Sequence, residues 1–304
     1  MKVLITGSSG LIGSALTECL SANSHEVVRL LRHNVLEGSP FWDPERGVVN
    51  LADVRDIDAV VHLAGDSIAE GRWNERKKAR ILDSRVRGTQ LLAEFFAASQ
   101  NKPRIIVAAS AIGIYGDRGD ALLDETSAPG TGFLADVVKQ WEGATSAASD
   151  AGIRVANVRL GVVLSAAGGA LKKMLLPFRM GLGGVIGSGK QYMSWVGLDD
   201  VVEMIQHVIV NDSLQGPVNL VSPNAISNRE FTRLLGHALH RPALFPMPAF
   251  AARIAFGEMA DDLLLASTRV VPKKLMASRY TFRHPHLEEL LKHILSQSHH
   301  ESVL

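Results

Sequence analysis

Two periods of apolar residues alternate along the first half of the chain. The run Lys2–Thr6 (KVLIT) is dense in β-branched and apolar side chains and predicts a buried strand. Behind it, LIGSALTECLSA carries apolar residues at 11, 12, 15, 16, 19 and 20, the spacing of one helix face. Residues 25–31 (HEVVRLL) predict a second strand and residues 58–63 (DAVVHL) a third. Residues 72–99 read as one long helical region, charged early and apolar later, and residues 104–110 (RIIVAAS) as the next strand. Strands alternating with helices predict an open, mostly parallel α/β sheet, the doubly wound Rossmann type, with ligands outside the carboxyl ends of the strands.

After residue 165 the pattern changes. GGALKKMLLPFRMGLG mixes a helix with a glycine-rich loop, and residues 192–195 (YMSW) predict a short strand. Residues 199–210 predict a helix opened by two aspartates that suit its dipole. GPVNLVS returns as a strand and NREFTRLLGHALH as an amphipathic helix. This divides the chain into a nucleotide-binding domain (residues 1–165 and 195–222), a smaller mixed α/β substrate or lid domain (166–194 and 223–296) and a polar, frayed tail (297–304).

Composition narrows the partners. With 46% apolar and 21% charged residues, the 304-residue chain has the make-up of a soluble globular protein. A formal charge of +1 argues against a general nucleic-acid or membrane-surface partner. No apolar run has the length of a signal peptide core or a bilayer span, which leaves the cytoplasm as the expected compartment. The single cysteine, Cys19, has no partner for an internal disulfide, and its helical spacing with Leu16 and Leu20 predicts a core position.

The chemistry gathers where the first strand meets the first helix. Gly7-Ser8-Ser9-Gly10-Leu11-Ile12-Gly13 lies between them, so free backbone N–H groups and the helix dipole face one point, and glycines let a pyrophosphate approach. The spacing G-x-x-G-x-x-G predicts dinucleotide binding in this context. An acidic residue for the ribose 2′-hydroxyl of NAD is expected about 20 residues further on. Arg32 stands there instead, 19 residues past Gly13, and no Asp or Glu lies between Glu26 and Glu37. A guanidinium forks onto a 2′-phosphate that a carboxylate would repel, which favours NADP(H). Ala64 and Gly65 end the third strand with small residues against which a cofactor can lie.

TGSSGLIG, the strand ending HLAG and the SAIGIYG turn are similar to the extended short-chain dehydrogenase/reductases, the superfamily of nucleotide-sugar epimerases. RWNERKKARILDSRVRGTQLL, FLADVVKQWE, RLGVVLS, LPFRMGLGGVIGSGKQYMSWVGLDD, GPVNLVSP, VVPKKL and YTFRHPHLEELL resemble one atypical branch, the YfcH-like "epimerase family protein" group, from residue 1 to about residue 295. The resemblance implies that Gly7, Gly10 and Gly13 hold the pyrophosphate within the Ser8, Ser9, Leu11 and Ile12 loop. Arg32 takes the adenosine 2′-phosphate with Leu31 beside it. Leu63, Ala64 and Gly65 border the nicotinamide ribose, Arg85 points at the cofactor from the long helix, and Leu160, Gly161 and Val162 follow a strand and meet the nicotinamide.

Most members of that superfamily handle a carbonyl through Tyr-x-x-x-Lys. Four residues beyond the three tyrosines, 115, 192 and 280, stand Gly119, Val196 and His284. With Glu142 taken as the glutamate of the relatives' helix, the lysine position is Val138 and the tyrosine position Leu134. The relatives' catalytic serine position falls on Ala111. Ser110 and Tyr115 are the substitutes this chain offers. Against each stands a structural reading: a strand-end hydroxyl that caps backbone, and a ring packed in the core.

Other chemistry is weaker. GVIGSGK lacks both the Ser/Thr and the preceding strand of a P-loop. His237 and His240, three apart on the expected helix, have no matching ligands nearby, so no metal is expected. No G-x-S-x-G elbow occurs. Arg72, Trp73, Arg179, Lys190, Gln191 and Trp195 are expected to meet a small-molecule substrate, anionic or planar. Two readings result: an NADP(H)-binding oxidoreductase or epimerase-like enzyme with a non-standard acid, or a non-catalytic NADP(H)-sensing or binding protein.

Overall fold

The computed structural model describes residues 1–32 and 38–301. Strand β1 (Lys2–Thr6) leads through the glycine loop into helix α1 (Leu11–Ala22) and back into β2 (Glu26–Arg32). A hairpin follows, β3 (Phe41–Asp43) and β4 (Val48–Asn50), then β5 (Ala59–His62), the long α2 (Glu75–Ala98) and β6 (Ile105–Ala111). A 3₁₀ turn, Ile112–Tyr115, and the short β7 (Leu122–Leu123) precede α3 (Phe133–Gly143), α4 (Ser146–Asp150) and β8 (Arg154–Leu160). The second half holds β9 (Val162–Leu164), α5 (Gly169–Arg179), β10 (Tyr192–Met193), β11 (Trp195–Gly197), α6 (Leu198–Val210) and β12 (Gly216–Leu220). It closes with β13 (Ile226–Ser227), α7 (Asn228–Ala238), α8 (Ala249–Phe256), β14 (Arg269–Val270), α9 (Lys273–Ala277) and α10 (Leu287–Glu301).

The main sheet has eight strands in the order β12-β8-β6-β5-β1-β2-β3-β4. All its pairings are parallel except β3 with β4. From β1 the chain winds outward through β2, then returns to the other flank of β1 with β5. That reversal opens a crevice at the carboxyl ends of β1 and β5, the usual ligand position in such sheets. The pleat sends alternate residues to opposite cores. Val3 and Ile5 pack with Leu16 and Leu20 of α1 and Val201, Met204 and Ile205 of α6. Leu4 packs with Trp42, Leu92, Phe96 and Ala148 on the other face. A third core joins α5, α7 and α10 through Leu171, Leu175, Phe231, Leu235, Leu290 and Leu291, with Trp195 in its midst.

The expected doubly wound sheet is present, with local differences. Residues 192–195 do not form one strand. Tyr192–Met193 pairs antiparallel with Ile226–Ser227, and Trp195–Gly197 pairs parallel with Val162–Leu164. Leu275, Tyr280 and Phe282, inside the stretch read as lid, pack against the core under α6. Helix α10 continues to Glu301, into the segment read as a frayed tail, and residues 302–304 lie outside the described residues. Helix α7 ends at Ala238, so His240 is not on it; that residue has left the helix at a positive φ of 53°. Cys19 is half-buried and packs against the first core as expected, with the Gln206 amide donating to its sulfur. Among the described residues no helix is long and apolar enough to cross a membrane.

One buried group ties stability to pH. His62, 1% exposed at the end of β5, shares a 2.6 Å hydrogen bond with Thr6 through Nδ1 and sits edge-on to Trp42. Burial lowers its pKa from 6.5 to about 4. A depressed histidine pKa means that the unfolded chain takes up the proton first as pH falls. Its contribution is therefore complete above pH 6.5 and is lost progressively toward about pH 4. The full swing is about 3 kcal/mol. Urea unfolding of the wild type and His62→Asn at pH 7.5 and pH 5 should show a shallower pH slope in the variant, and equal slopes would contradict this account.

Candidate functional site

The glycine loop is built by close approach of backbone to backbone. Gly7 has φ 69°, and a Cβ there would lie 2.8 Å from the Leu63 carbonyl carbon and the Ala64 nitrogen. A Cβ on Gly13 would lie 2.1 Å from the Gly7 carbonyl oxygen. The loop is thus pressed on one side against the end of β5 and on the other against the first turn of α1. That turn has no side-chain cap at Gly10 and no acidic residue, so its N-terminal field is left for an anion.

Two arginines of β2 flank this loop. Arg32 is exposed at the strand's carboxyl end, with Leu31 half-buried beside it. Glu37, which bounds the acid-free stretch, lies outside the described residues. Arg29, which sequence reasoning passes over, donates from Nε to the Ser8 hydroxyl at 3.1 Å. The signal is available: strand alternation places residues 29 and 31 on the face opposite to Val28 and Leu30.

At the other end of the crevice, Leu63 and Ala64 are half-buried and Gly65 is exposed. The Arg85 guanidinium carbon lies 3.6 Å from where a Gly65 Cβ would be. Arg85 donates to the carbonyls of Asp66 and Ile81 at 3.0 and 3.1 Å and stacks 5.1 Å from the Trp141 ring centroid. Burial lowers its pKa to about 10. Trp141, also missed from sequence, is fixed by its indole N–H, which donates to Thr89 at 2.9 Å. Leu160, Gly161 and Val162 are half-buried, but the Gly161 N–H is bonded to Leu220 and the Val162 N–H to Ser194. Neither N–H is free to grip a ligand.

Leu134, Val138 and Glu142 fall in one row along α3, four residues apart. Leu134 rests over Gly113, and Val138 is buried with Tyr115 and Trp141. The row is therefore apolar where the superfamily places a tyrosine and a lysine, and Glu142 is its single ionisable member.

Glu142 anchors a buried network that takes in both substitute acids. The Ser110 hydroxyl donates to Glu142 Oε1 at 2.6 Å. Arg159 forks onto both Glu142 oxygens at 2.8 Å and donates to the Tyr115 hydroxyl at 2.9 Å. Tyr115 donates in turn to Asn219 Oδ1 at 2.8 Å, and the Asn219 N–H donates to Glu125 at 3.1 Å. Ser110 and Tyr115 are 2% and 0% exposed, so the structure brings them together with no open side toward solvent. Burial raises the Tyr115 phenol above its ordinary pKa, against the pull of Arg159. Burial would lower Arg159, but the hydrogen bond and charge of Glu142 outweigh it and hold the guanidinium charged.

The six expected substrate contacts divide. Trp195 is fully buried, with its indole N–H bonded to the Asn224 carbonyl, and the Gln191 amide donates to Ile186 and Leu264. Both are taken up by the fold. Arg72 donates to the Ile254 and Ala255 carbonyls and so joins its loop to α8, while Trp73 packs edge-on to Phe133. Arg179 and Lys190 are exposed.

Known proteins share this architecture. The NAD dependent epimerase/dehydratase family matches residues 3–220, and a domain of unknown function (DUF1731) matches residues 247–294. Epimerase family protein Mb2239 of Mycobacterium bovis is 43% identical over 290 residues, 95% of this chain and 96% of that protein. Human epimerase family protein SDR39U1 is 36% identical over 299 residues, 97% of this chain and 100% of its own length. A crystal structure of the human protein (isoform 2) with NADPH superposes with a TM-score of 0.89 at 34% identity, covering 97% of this chain and 99% of that chain. With the first 220 residues shared as one unit and near-complete coverage of both relatives, the chain belongs to the NAD dependent epimerase/dehydratase family, on the branch of the epimerase family proteins.

Proposed function

We propose that this protein binds NADP(H) in the crevice between β1 and β5 and that it lacks a chain-borne acid of the Tyr-x-x-x-Lys kind. The carrying observation is the fit of the loop to a pyrophosphate: glycines that admit no Cβ, at the uncapped N-terminus of a twelve-residue helix. Arg32 at the end of β2 and Arg29 at Ser8 suit a 2′-phosphate, and the NADPH in the human relative's crystal agrees with that choice. Leu63, Ala64, Gly65 and Arg85 border the ribose and nicotinamide end, while Leu160, Gly161 and Val162 approach through groups other than their N–H. Bound NADPH supplies a hydride for a carbonyl carbon. The chain's own part is to bind, orient and, through Leu134 and Val138, keep water from that end. The small-molecule substrate of this reading is anionic or planar, and of its six expected contacts Arg179 and Lys190 are exposed cations. In this reading the protein is a binding or sensing member of an oxidoreductase superfamily, with low turnover of standard sugar carbonyls.

Fluorescence titration tests the cofactor choice. NADPH should bind more tightly than NADH. Arg32→Ala should cut that preference about tenfold to a hundredfold, since a charge-assisted pair contributes about 1.5–3 kcal/mol. Arg29→Ala should remove a smaller share. Equal affinities for the two cofactors in the wild type would end the 2′-phosphate assignment.

The second reading, an oxidoreductase or epimerase-like enzyme, draws on the same network. Ser110, Glu142, Arg159 and Tyr115 form one hydrogen-bonded network in which the fixed Arg159 charge orients the Tyr115 hydroxyl, the acid of this reading. A screen of carbonyl compounds separates the two readings. Turnover that falls about 10²–10⁴-fold in Tyr115→Phe supports Tyr115 as the acid. NADPH binding without turnover supports the sensing role.

A further inference from the structure

We propose that Asp199, His284 and His293 hold a divalent transition-metal ion of the zinc class, which clips the C-terminal helix α10 to the N-terminus of α6. The inference does not depend on the NADP(H) reading. One ligand atom from each of the three side chains lies within 4.8 Å of the other two. His293 Nε2 stands 3.1 Å from Asp199 Oδ2, and the two imidazole rings are 4.7 Å apart between centroids, inclined at 34°. Tetrahedral zinc with bonds of about 2.0–2.1 Å separates its ligand atoms by roughly 3.4 Å. The pair at 3.1 Å is already near that spacing, and a ring rotation moving one atom by roughly 1.4 Å closes the set.

An independent observation points to a ligand. His284 Nε2 is buried and makes no hydrogen bond to any described residue. An imidazole nitrogen withdrawn from water without a partner is costly, and a metal ion is one of the few groups that accept it. The ring is also held in place from behind. Asp200 accepts from the backbone N–H of both Arg283 (2.8 Å) and His284 (3.0 Å), and the Tyr280 hydroxyl lies 3.3 Å from the same carboxylate. Such support of a ligand's backbone is what a preorganised site needs.

The donor set selects the metal class. Two imidazoles and one carboxylate suit zinc and its neighbours, with a water completing the coordination. Calcium and magnesium ask for six or more oxygens or a near-ideal octahedron. The position gives the ion a mechanical consequence. Helix α6 belongs to the core under the main sheet through Val201 and Ile205, whereas α10 belongs to the third core through Leu290, Leu291 and Ile294. An ion bound by residues of both helices and of the 280–286 segment joins the two cores.

The test uses full-length, tag-free protein carrying His299→Asn and His300→Asn, so that the terminal imidazoles do not contribute. After dialysis against a chelator it is titrated with Co²⁺, and its melting is followed with and without Zn²⁺. The expected result is one Co²⁺ per chain with the visible bands of a tetrahedral site, displacement by Zn²⁺, and a higher melting temperature with Zn²⁺. His284→Gln and His293→Gln should each weaken binding by at least the about 10–100-fold that loss of a supporting partner costs. If either histidine variant fails to fold, Asp199→Asn, which keeps the shape of the side chain, tests the site by the same loss of binding. Absence of stoichiometric binding, or binding that survives these substitutions, overturns the proposal.

Discussion

Gly13→Ala should weaken NADPH binding by about 10²–10⁴-fold while leaving the circular dichroism spectrum of the chain nearly unchanged. The new methyl would sit 2.1 Å from the Gly7 carbonyl oxygen and 2.8 Å from Ser8 Cα. Both are backbone atoms, so no side chain is able to rotate away. The loop has to lift off the first turn of α1. Gly7 is itself wedged against Leu63 and Ala64, with its N-terminal flank in β1, so the displacement falls on Ser8, Ser9 and Gly10. Of these, Ser8 and Ser9 offer the N–H groups that face the pyrophosphate in the proposed pose, the Gly10 N–H being bonded to the Gly7 carbonyl at 3.0 Å. Two charge-assisted hydrogen bonds lost at about 1.5–3 kcal/mol each give the stated range. Overpacking adds a stability cost of about 1–3 kcal/mol. Gly10→Ala is the internal comparison. A Cβ there meets one atom, the Gly7 oxygen, at 3.3 Å, a contact the loop absorbs by a few tenths of an ångström. Its effect on affinity should stay near tenfold or less, by rough proportion to that smaller displacement. Titration of both variants by fluorescence, with melting curves to confirm folding, checks the pair. A folded Gly13→Ala protein that binds NADPH like the wild type would mean that the crevice is not where the cofactor lies.

The parts of this molecule that are legible in the sequence share one property: their structure is decided within a few residues. Lys2–Thr6 forms the strand its apolar run predicts, and α1 follows from the spacing of Leu11 to Leu20. The glycine loop can be placed because only its two flanking elements are needed. What is not legible depends on partners far along the chain. The two-residue strand Leu122–Leu123 exists because Arg269–Val270 pairs with it. The hairpin Phe41–Asp43 and Val48–Asn50, which widens the main sheet, carries too few residues for a period to show. Trp42 looks like any aromatic residue in the sequence, yet it is 1% exposed and fills the core beside Gly88. The site follows the same division. Arg32 is found by counting from the glycines. Trp141 against Arg85, and Asp199 against His284 and His293, are meetings between elements that no local spacing encodes. Trp195 and Gln191 read as ligand contacts from their place in a motif. Their hydrogen bonds to Asn224, Ile186 and Leu264 show that the fold itself uses them.

Breaking the Arg159–Glu142 pair on one side should destabilise the protein by about 3–5 kcal/mol, and removing both partners should restore much of the loss. The two side chains are 7% and 15% exposed and share two 2.8 Å contacts. Glu142→Leu leaves a guanidinium in the interior with the Tyr115 hydroxyl as its remaining partner within the network, and leaves Ser110 without its acceptor. That uncompensated charge, rather than the lost attraction, is the source of the effect. The double variant Glu142→Leu, Arg159→Met replaces ions by apolar groups of similar volume and removes the charge to be solvated. Urea unfolding of wild type, both single variants and the double variant forms a complete cycle. The expected order of stability places wild type and double variant together, well above either single variant. A single variant within about 1 kcal/mol of wild type would show that water reaches this network and that its burial is not what holds it. The cycle also bears on function. Leu134, Val138 and Glu142 share one row of α3, so the pair begins one helical turn beyond the lysine position and two beyond the tyrosine position of the superfamily. Here that place is apolar at Leu134 and Val138, and the row turns ionic one turn further on at Glu142. If NADPH affinity is unchanged in the double variant, the network serves the scaffold. If affinity holds but a carbonyl turnover found in the wild type disappears, the network orients the acid, and the Arg159–Glu142 pair is its positioning element.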